Sequence, residues 1–171
     1  MSTCLNGEMP AHVVKISAVE VEFSLFSTDI LENGVALTCA ELRIPIIAYS
    51  PMSRGFLTGD IKKPEDIPEG DMRKYFPPFQ AEAFYENLKL VAEVEKVAAK
   101  KGATPPQIAI AWIRAHSGED GFPIIIPIPG ATTEARVEEN TKDISLTEED
   151  IKEIEGILSK FSVMGDRYPA H

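Results

Sequence analysis

The 171-residue sequence has little of the chemistry that metals and disulfides need: two cysteines, three histidines and one tryptophan. Cys4 and Cys39 cannot make a disulfide framework, so a reducing compartment is the simpler reading. His12, His116 and His171 lie far apart, with no Cys or Asp at ligand spacing, which argues against a metal site. Positive charge is also short. Seventeen Lys plus Arg face 27 Asp plus Glu, for a net charge of −10. Such a chain repels nucleic-acid phosphates and anionic lipid, so neither is an expected partner. No apolar run approaches the ~20 residues that cross a bilayer. Residues 1–10 lack both the basic and the apolar region of a signal peptide. A soluble, cytoplasmic protein is the expectation. No Walker-type phosphate loop is present, and Pro51-Met52-Ser53-Arg54-Gly55 lacks the first glycine of a nucleophile elbow.

What is there is ordinary globular material, 44% hydrophobic and 26% charged, in a length that usually makes one domain. Strand and helix patterns alternate. Lys15–Glu22 and Ile44–Tyr49 read as strands, and so does Phe122–Ile128. Between the first two, Asp29–Arg43 reads as a helix over its second half, because Asn33-Gly34 is a break signal. Ser50–Pro78, rich in proline and glycine, is a loop long enough to suggest function. Ala81–Lys101 carries apolar residues at helical spacing and stops at Gly102. Thr104-Pro105 starts the next helix, with Ile108, Ala111, Trp112 and Ala115 as its apolar stripe. Thr132–Asn140 forms a short helix, and Thr147 caps a last one.

The connections are too long for hairpins, so the sheet is parallel and the class α/β. Two closures compete, an open doubly wound sheet and part of a (β/α)₈ barrel. A whole barrel needs ~250 residues, more than this chain has. Periodicity does not choose between them.

Three stretches carry a resemblance. Ala18-Val19-Glu20-Val21-Glu22-Phe23-Ser24 resembles the sixth barrel strand of the NADP-dependent aldo-keto reductases. Ile47 through Gly59 is similar to their seventh strand and the cofactor loop after it. Ile126-Pro127-Ile128-Pro129-Gly130-Ala131-Thr132, with Arg136, Glu139 and Asn140, looks like their eighth strand and adenosine-phosphate site. The Glu20 form and Phe56-Leu57-Thr58-Gly59 look most like the fungal pyridoxal-reductase branch. The resemblance implies a partial TIM barrel, the last three strands with their helices. Residues 1–15 then read as a non-matching segment and 16–171 as the C-terminal part of the barrel, with its NADP site.

The chemistry of these stretches fits a nucleotide on its own terms. Tyr49 ends a buried strand, where parallel α/β proteins place ligands, and its ring can stack on a nicotinamide. A core tyrosine with a satisfied hydroxyl is the plainer alternative. The resemblance adds Ser50, Phe56, Leu57 and Gly59 as loop contacts. Gly130 precedes a helix N-terminus, whose free N–H groups and dipole make an anion site. Arg136, in the first turns, suits a 2′-phosphate; alternatively it pairs with Glu139 three residues on. Glu139 and Asn140 would meet the adenine edge, as matching positions do in the family. Two positions depart from the family pattern. Many members have lysine and serine where this chain has Gly130 and Ala131, and glutamine where it has Glu20, the residue implied to hold the nicotinamide carboxamide.

In that family a tyrosine donates the proton, a lysine lowers its pKa, an aspartate holds the lysine and a histidine orients the substrate. All four come from the first four strands and have no counterpart here, so the chain carries no implied catalytic residue. The implied function is NADPH-dependent reduction of an aldehyde or ketone, pyridoxal among them, by hydride transfer. The alternative is a non-catalytic half-barrel that binds cofactor or a partner. A barrel cut between strands also leaves unpaired edges and uncovers inward-facing apolar residues, with Val19, Val21, Ile47 and Ile125 as the candidates. Self-association, or a complementing chain at those edges, is expected.

Overall fold

Short runs of valine and isoleucine build the sheet. A computed structural model of the chain describes residues 15–119 and 121–169. Cys4, His12 and His171, and nearly all of the expected 1–15 segment, lie outside the described residues. Strands β1 (Val19–Glu22), β2 (Ile46–Tyr49) and β3 (Ile125–Pro127) run parallel in the order β1-β2-β3. Val19 pairs with Ile46 and Glu22 with Tyr49, while Ile46 pairs with Ile125.

This register fixes two faces, because successive side chains point to opposite sides. One face holds Val19, Val21, Ile46, Ala48 and Ile125, and it packs into the core; Ile46 and Ala48 are fully buried and Ile125 is 3% exposed. The other face holds Glu20, Ile47, Tyr49 and Ile126. The expected set of uncovered residues is therefore corrected. Only Ile47 of the four lies on the open face, since Val19, Val21 and Ile125 have the opposite phase. Ile124, Ile126 and Ile128, at 58%, 45% and 45% exposed, are the uncovered isoleucines instead.

The helices follow from their caps. Gly34 takes φ +83° and starts α1 (Val35–Glu41), with the Val35 N–H donating to Asn33 Oδ1 at 3.0 Å. The expected helix thus forms over its second half, and Asp29–Leu31 is a separate 3₁₀ turn. Helix α2 (Ala81–Lys101) ends where Gly102 turns left-handed, at φ +62°, as a C-terminal glycine can without a Cβ penalty. Helix α3 (Pro105–Ala115) is held at its start by the Thr104 N–H on Gln107 Oε1, 3.0 Å. Ile108 through Ile113 are all buried. That makes α3 the central helix rather than a one-sided one, packed on α2 and β3. Helices α4 (Glu134–Thr141) and α5 (Glu148–Leu158) complete the described set. At the head of α5 the Thr147 N–H donates to Asp150 Oδ2 at 2.8 Å, and the Asp150 N–H donates back to Thr147 Oγ1 at 3.3 Å. This reciprocal pair satisfies two otherwise orphaned donors. Asp150 also receives Lys101 Nζ at 2.6 Å, which ties α5 to the end of α2.

Strand β3 is shorter than the expected Phe122–Ile128. Pro123, Pro127 and Pro129 lack the N–H that a ladder needs, and the Ile125 N–H is taken by Ser117 Oγ at 2.8 Å. The Ser50–Pro78 loop is a chain of 3₁₀ turns: Ser53–Thr58, Pro64–Asp66, Met72–Tyr75 and Pro77–Phe79. Among the described residues no helix is long and apolar enough to cross a membrane.

Candidate functional site

The loop leaving β2 bends through strained backbone. Ser50, Ser53 and Arg54 all have positive φ, at 52°, 51° and 57°. Non-glycine residues in this region cost about 1–3 kcal/mol each, and such strain clusters at binding sites. Several contacts hold it. Ser53 Oγ donates to the buried Ser24 Oγ at 3.1 Å, and the Ser53 N–H donates to the Ser50 carbonyl at 2.8 Å. Arg73 donates through Nη1 to the Arg54 carbonyl at 3.2 Å. Asp71 in turn holds Arg73, at 3.0 Å to Nε and 2.7 Å to Nη2. Those hydrogen bonds bring the Asp71 carboxyl down to a pKa of about 2.

Between this loop and the segment after β3 lies a groove of about 770 Å³, lined by Ser50, Met52, Asp60, Gly130, Thr132 and Arg136 among others. It sits past the C-terminal ends of β2 and β3, where open parallel sheets bind ligands. The α4 N-terminus opens here: Thr133 Oγ1 accepts the Arg136 N–H at 3.3 Å, leaving the preceding turn toward the groove. A Cβ added at Gly130 would meet nothing within 4 Å. Asn140 is 8% exposed and donates through Nδ2 to the Gly130 carbonyl at 3.4 Å, while its buried Oδ1 has no partner. Arg136 reaches across the groove to Asp60, Nη2 to Oδ2 at 2.5 Å, and also holds Glu139 at 3.1 Å through Nη1. Hydrogen bonding to Asp60 first, then charge from both carboxylates, keeps the guanidinium firmly protonated.

A second cavity of about 450 Å³ lies past the end of β1, beneath the C-terminal segment. Glu22 is 7% exposed and is met by Arg167 Nε at 3.1 Å and Arg54 Nη2 at 3.4 Å. Arg167 also pairs with Asp29 at 2.7 Å and donates to Ser27. The Arg54 guanidinium carbon lies 4.4 Å from the Phe76 ring centre and 5.2 Å from that of Tyr168. Such stacking steadies a desolvated arginine. Tyr49, half-buried, touches Tyr168 hydroxyl to hydroxyl at 3.4 Å. Burial first, then Tyr168, pushes the Tyr49 phenol up to about 12.

Ser50, Gly130 and Arg136 thus line one groove, with Glu139 and Asn140 behind it. Tyr49 stands on the adjoining open face under Tyr168. Three expected residues sit elsewhere. The Phe56 ring is 1% exposed, stacked on Phe26, Phe79 and Phe84. The Leu57 side chain is fully buried, and its N–H is spent on the Met52 carbonyl at 3.2 Å. Gly59 faces Glu95 Oε1, 3.3 Å from where its Cβ would be. The side chains of Phe56 and Leu57 are therefore core, and the loop lines the groove through other residues, Ser50, Met52, Arg54, Thr58 and Asp60 among them. Glu20 is exposed on the open face, so no burial cost falls on its carboxylate. Sequence reasoning missed Glu22, Arg54, Asp60, Arg73 and Arg167. Only Glu22 left a signal, two positions from Glu20 and hence on the same strand face.

The Aldo/keto reductase family model matches residues 8–159. The chain belongs to this family. Among curated family members, it is 44% identical over 163 residues to the "Aldo-keto reductase yakc [NADP(+)]" of Schizosaccharomyces pombe, covering 93% of this chain and 46% of that protein. To the "Putative pyridoxal reductase" of Saccharomyces cerevisiae it is 41% identical over 166 residues, 90% of this chain and 47% of that one. The chain thus spans about half the length of the curated relatives it matches. Among solved structures, the glycerol dehydrogenase of Gluconobacter oxydans superposes with a TM-score of 0.74 at 26% identity, over 94% of this chain and 46% of that one.

Proposed function

We propose that this chain is the nucleotide-binding part of an NADP-dependent aldo-keto reductase that reduces an aldehyde or ketone, pyridoxal among the candidates. Its strands would then be the last three of a partial barrel. The observation that carries the reading is the orphaned, buried Asn140 Oδ1 beside the open cradle at Gly130, with Arg136 at the groove's edge. A buried acceptor without a partner costs roughly 1–3 kcal/mol, and the amino group of an adenine is a donor of the kind that would satisfy it. The α4 N-terminus and its unblocked approach suit an anion, and Arg136 adds a planar fork for a phosphate. These residues fit a dinucleotide. Printed names support the same direction: one relative is called NADP(+)-dependent and another a pyridoxal reductase.

When bound, the nicotinamide supplies the hydride. The chain's own residues bind and orient. Ser50 and Thr132 would hold the phosphates and Arg136 and Glu139 the adenosine end, while Tyr49 would offer its ring face beside the Glu22–Arg54–Arg167 cluster. Tyr49 is not suited to give up a proton. The Tyr49 phenol, pushed up to about 12, is a weaker acid than free tyrosine, whereas an efficient general acid has a pKa near the working pH. This favours the second reading for the chain taken alone, a binding half whose chemistry needs groups it does not carry. Without a positioned acid, hydride transfer loses roughly 10²–10⁴ in rate. The purified chain should turn over pyridoxal with NADPH little or not at all, and robust turnover would refute that.

Calorimetry tests the binding reading. Arg136→Ala should weaken NADPH by ~1–3 kcal/mol, the size of a lost charge-assisted contact, and leave NADH nearly unchanged. Equal losses for both cofactors would count against the phosphate assignment.

A further inference from the structure

We propose that Asp60 competes with the ligand for Arg136, so that a 2′-phosphate must displace the Asp60 side chain and the groove favours nucleotides carrying one by less than Arg136 alone would give. The proposal rests on the nucleotide reading above and concerns which nucleotides that same groove accepts.

The Asp60–Arg136 pair joins residues 76 apart in sequence and crosses the groove from the loop after β2 to α4. With Glu139 on its other amino group, the guanidinium faces two carboxylates. A phosphate dianion brought to Arg136 meets both negative charges, and like charges at this range oppose binding. No cation in the segment after β3 offsets them, since Gly130 and Ala131 stand there. Glu139 lies on the same helix turn as Arg136 and can stay beside it. Asp60 is the removable member: its side chain is 64% exposed. Its backbone is not free to follow. The Asp60 N–H donates to Thr58 Oγ1 at 3.3 Å, Thr58 donates to the Gly55 carbonyl at 2.8 Å, and Gly59 fixes the bend at φ +76°. Release is therefore a side-chain rotation over a fixed loop. A nucleotide with a free 2′-hydroxyl makes no such demand and can leave the pair closed.

Asp60→Asn keeps the shape and removes the charge. Wild type and variant are titrated calorimetrically with adenosine 2′,5′-bisphosphate and with ADP, after thermal melts show both proteins folded; Asp60→Glu, which keeps the charge, is the control. The variant should bind the bisphosphate roughly two- to fivefold tighter at low salt, with the gain shrinking as salt rises, as exposed charge pairs do. ADP affinity should not move, and Asp60→Glu should behave as wild type. Weaker bisphosphate binding by Asp60→Asn would show that Asp60 supports the site, and an equal gain for ADP would remove the discrimination; either overturns the proposal. If ADP binds while bisphosphate affinity stays unchanged, competition alone fails. If neither probe binds either protein, the nucleotide reading fails and this proposal with it.

Discussion

The hydroxyls of Tyr49 and Tyr168 lie 3.4 Å apart, although 119 residues separate them. The contact places the C-terminal segment over the open face of the sheet at the end of β2. It also raises the Tyr49 phenol to about 12, with burial the larger cause and Tyr168 the next. The consequence for stability has a definite sign. A folded-state pKa above the ordinary 10 favours the neutral phenol in the fold, so this contribution is full below pH 10 and is lost between about pH 10 and 12. Spectrophotometric titration should show a tyrosine step displaced to high pH. In Tyr168→Phe the late step should move toward 10, and an unmoved step would deny the contact.

Gly165 makes the tail's path possible. It has φ +93°, and a Cβ there would lie 2.6 Å from the Pro77 carbonyl carbon and 2.7 Å from the Pro78 nitrogen, both backbone atoms that cannot yield. Asn87 clamps the residue before it, donating to the Met164 carbonyl at 3.0 Å and accepting its N–H at 2.9 Å. Gly165→Ala should therefore lift the segment from the body at a cost of about 1 kcal/mol or more. Trypsin should then cut after Arg167 several times faster than in wild type. Unchanged cleavage would mean that the segment is not held at this point.

A third outcome concerns the loop clasp. Asp71 has its pKa lowered to about 2 by its hydrogen bonds to Arg73, and Arg73 supports the Arg54 carbonyl. A depressed carboxyl stabilises above its ordinary 3.8, and that stability is lost as pH falls through about 2. Asp71→Asn should melt below wild type at neutral pH, by an amount that closes as both are titrated toward pH 2. A gap that persists in acid would assign the effect to shape rather than charge.

Helices with strong caps were legible from sequence almost to the residue. Ala81–Lys101 stops at its glycine, and the Thr104-Pro105 and Thr147 starts fall where the side chains demand. Part of the groove's lining was legible as well: Gly130 and Arg136 come from one local strand–turn–helix segment, and local spacing is what a sequence shows. Phe56 and Leu57 were not, because an apolar residue in a loop can face ligand or core, and only the packing of Phe26, Phe79 and Phe84 around Phe56 decides. Long-range pairs such as Asp60–Arg136 and Glu22–Arg167 leave no periodic trace at all. The phase of β3 was misassigned for a related reason: Phe122–Ile128 is apolar on both faces, so alternation cannot say which side is covered, whereas in β1 the Val19-Glu20-Val21-Glu22 alternation does separate the faces and the valines lie on the covered one.

That phase decides how the sheet should behave in solution. Ile124, Ile126 and Ile128 stand in a row on β3 and its flanks, about half exposed, with half-buried Ile47 beside them on β2. Among the described residues β1 and β3 each have one side with no strand against it. Unpaired strand edges template further pairing, and contiguous apolar surface favours association. The net charge of −10 opposes close approach of copies but covers neither edge nor face. The isolated chain should therefore self-associate, or stay monodisperse only with a partner that supplies strands at these edges. Light scattering coupled to size exclusion reads this directly. Ile126→Lys, on the open face and away from the core, should shift the distribution toward monomer without lowering the melting temperature, whereas Ile125→Lys, 3% exposed on the helix-covered face, should unfold the chain. A monodisperse wild-type monomer with a cooperative melt would sink the association and leave an independently stable three-stranded α/β unit.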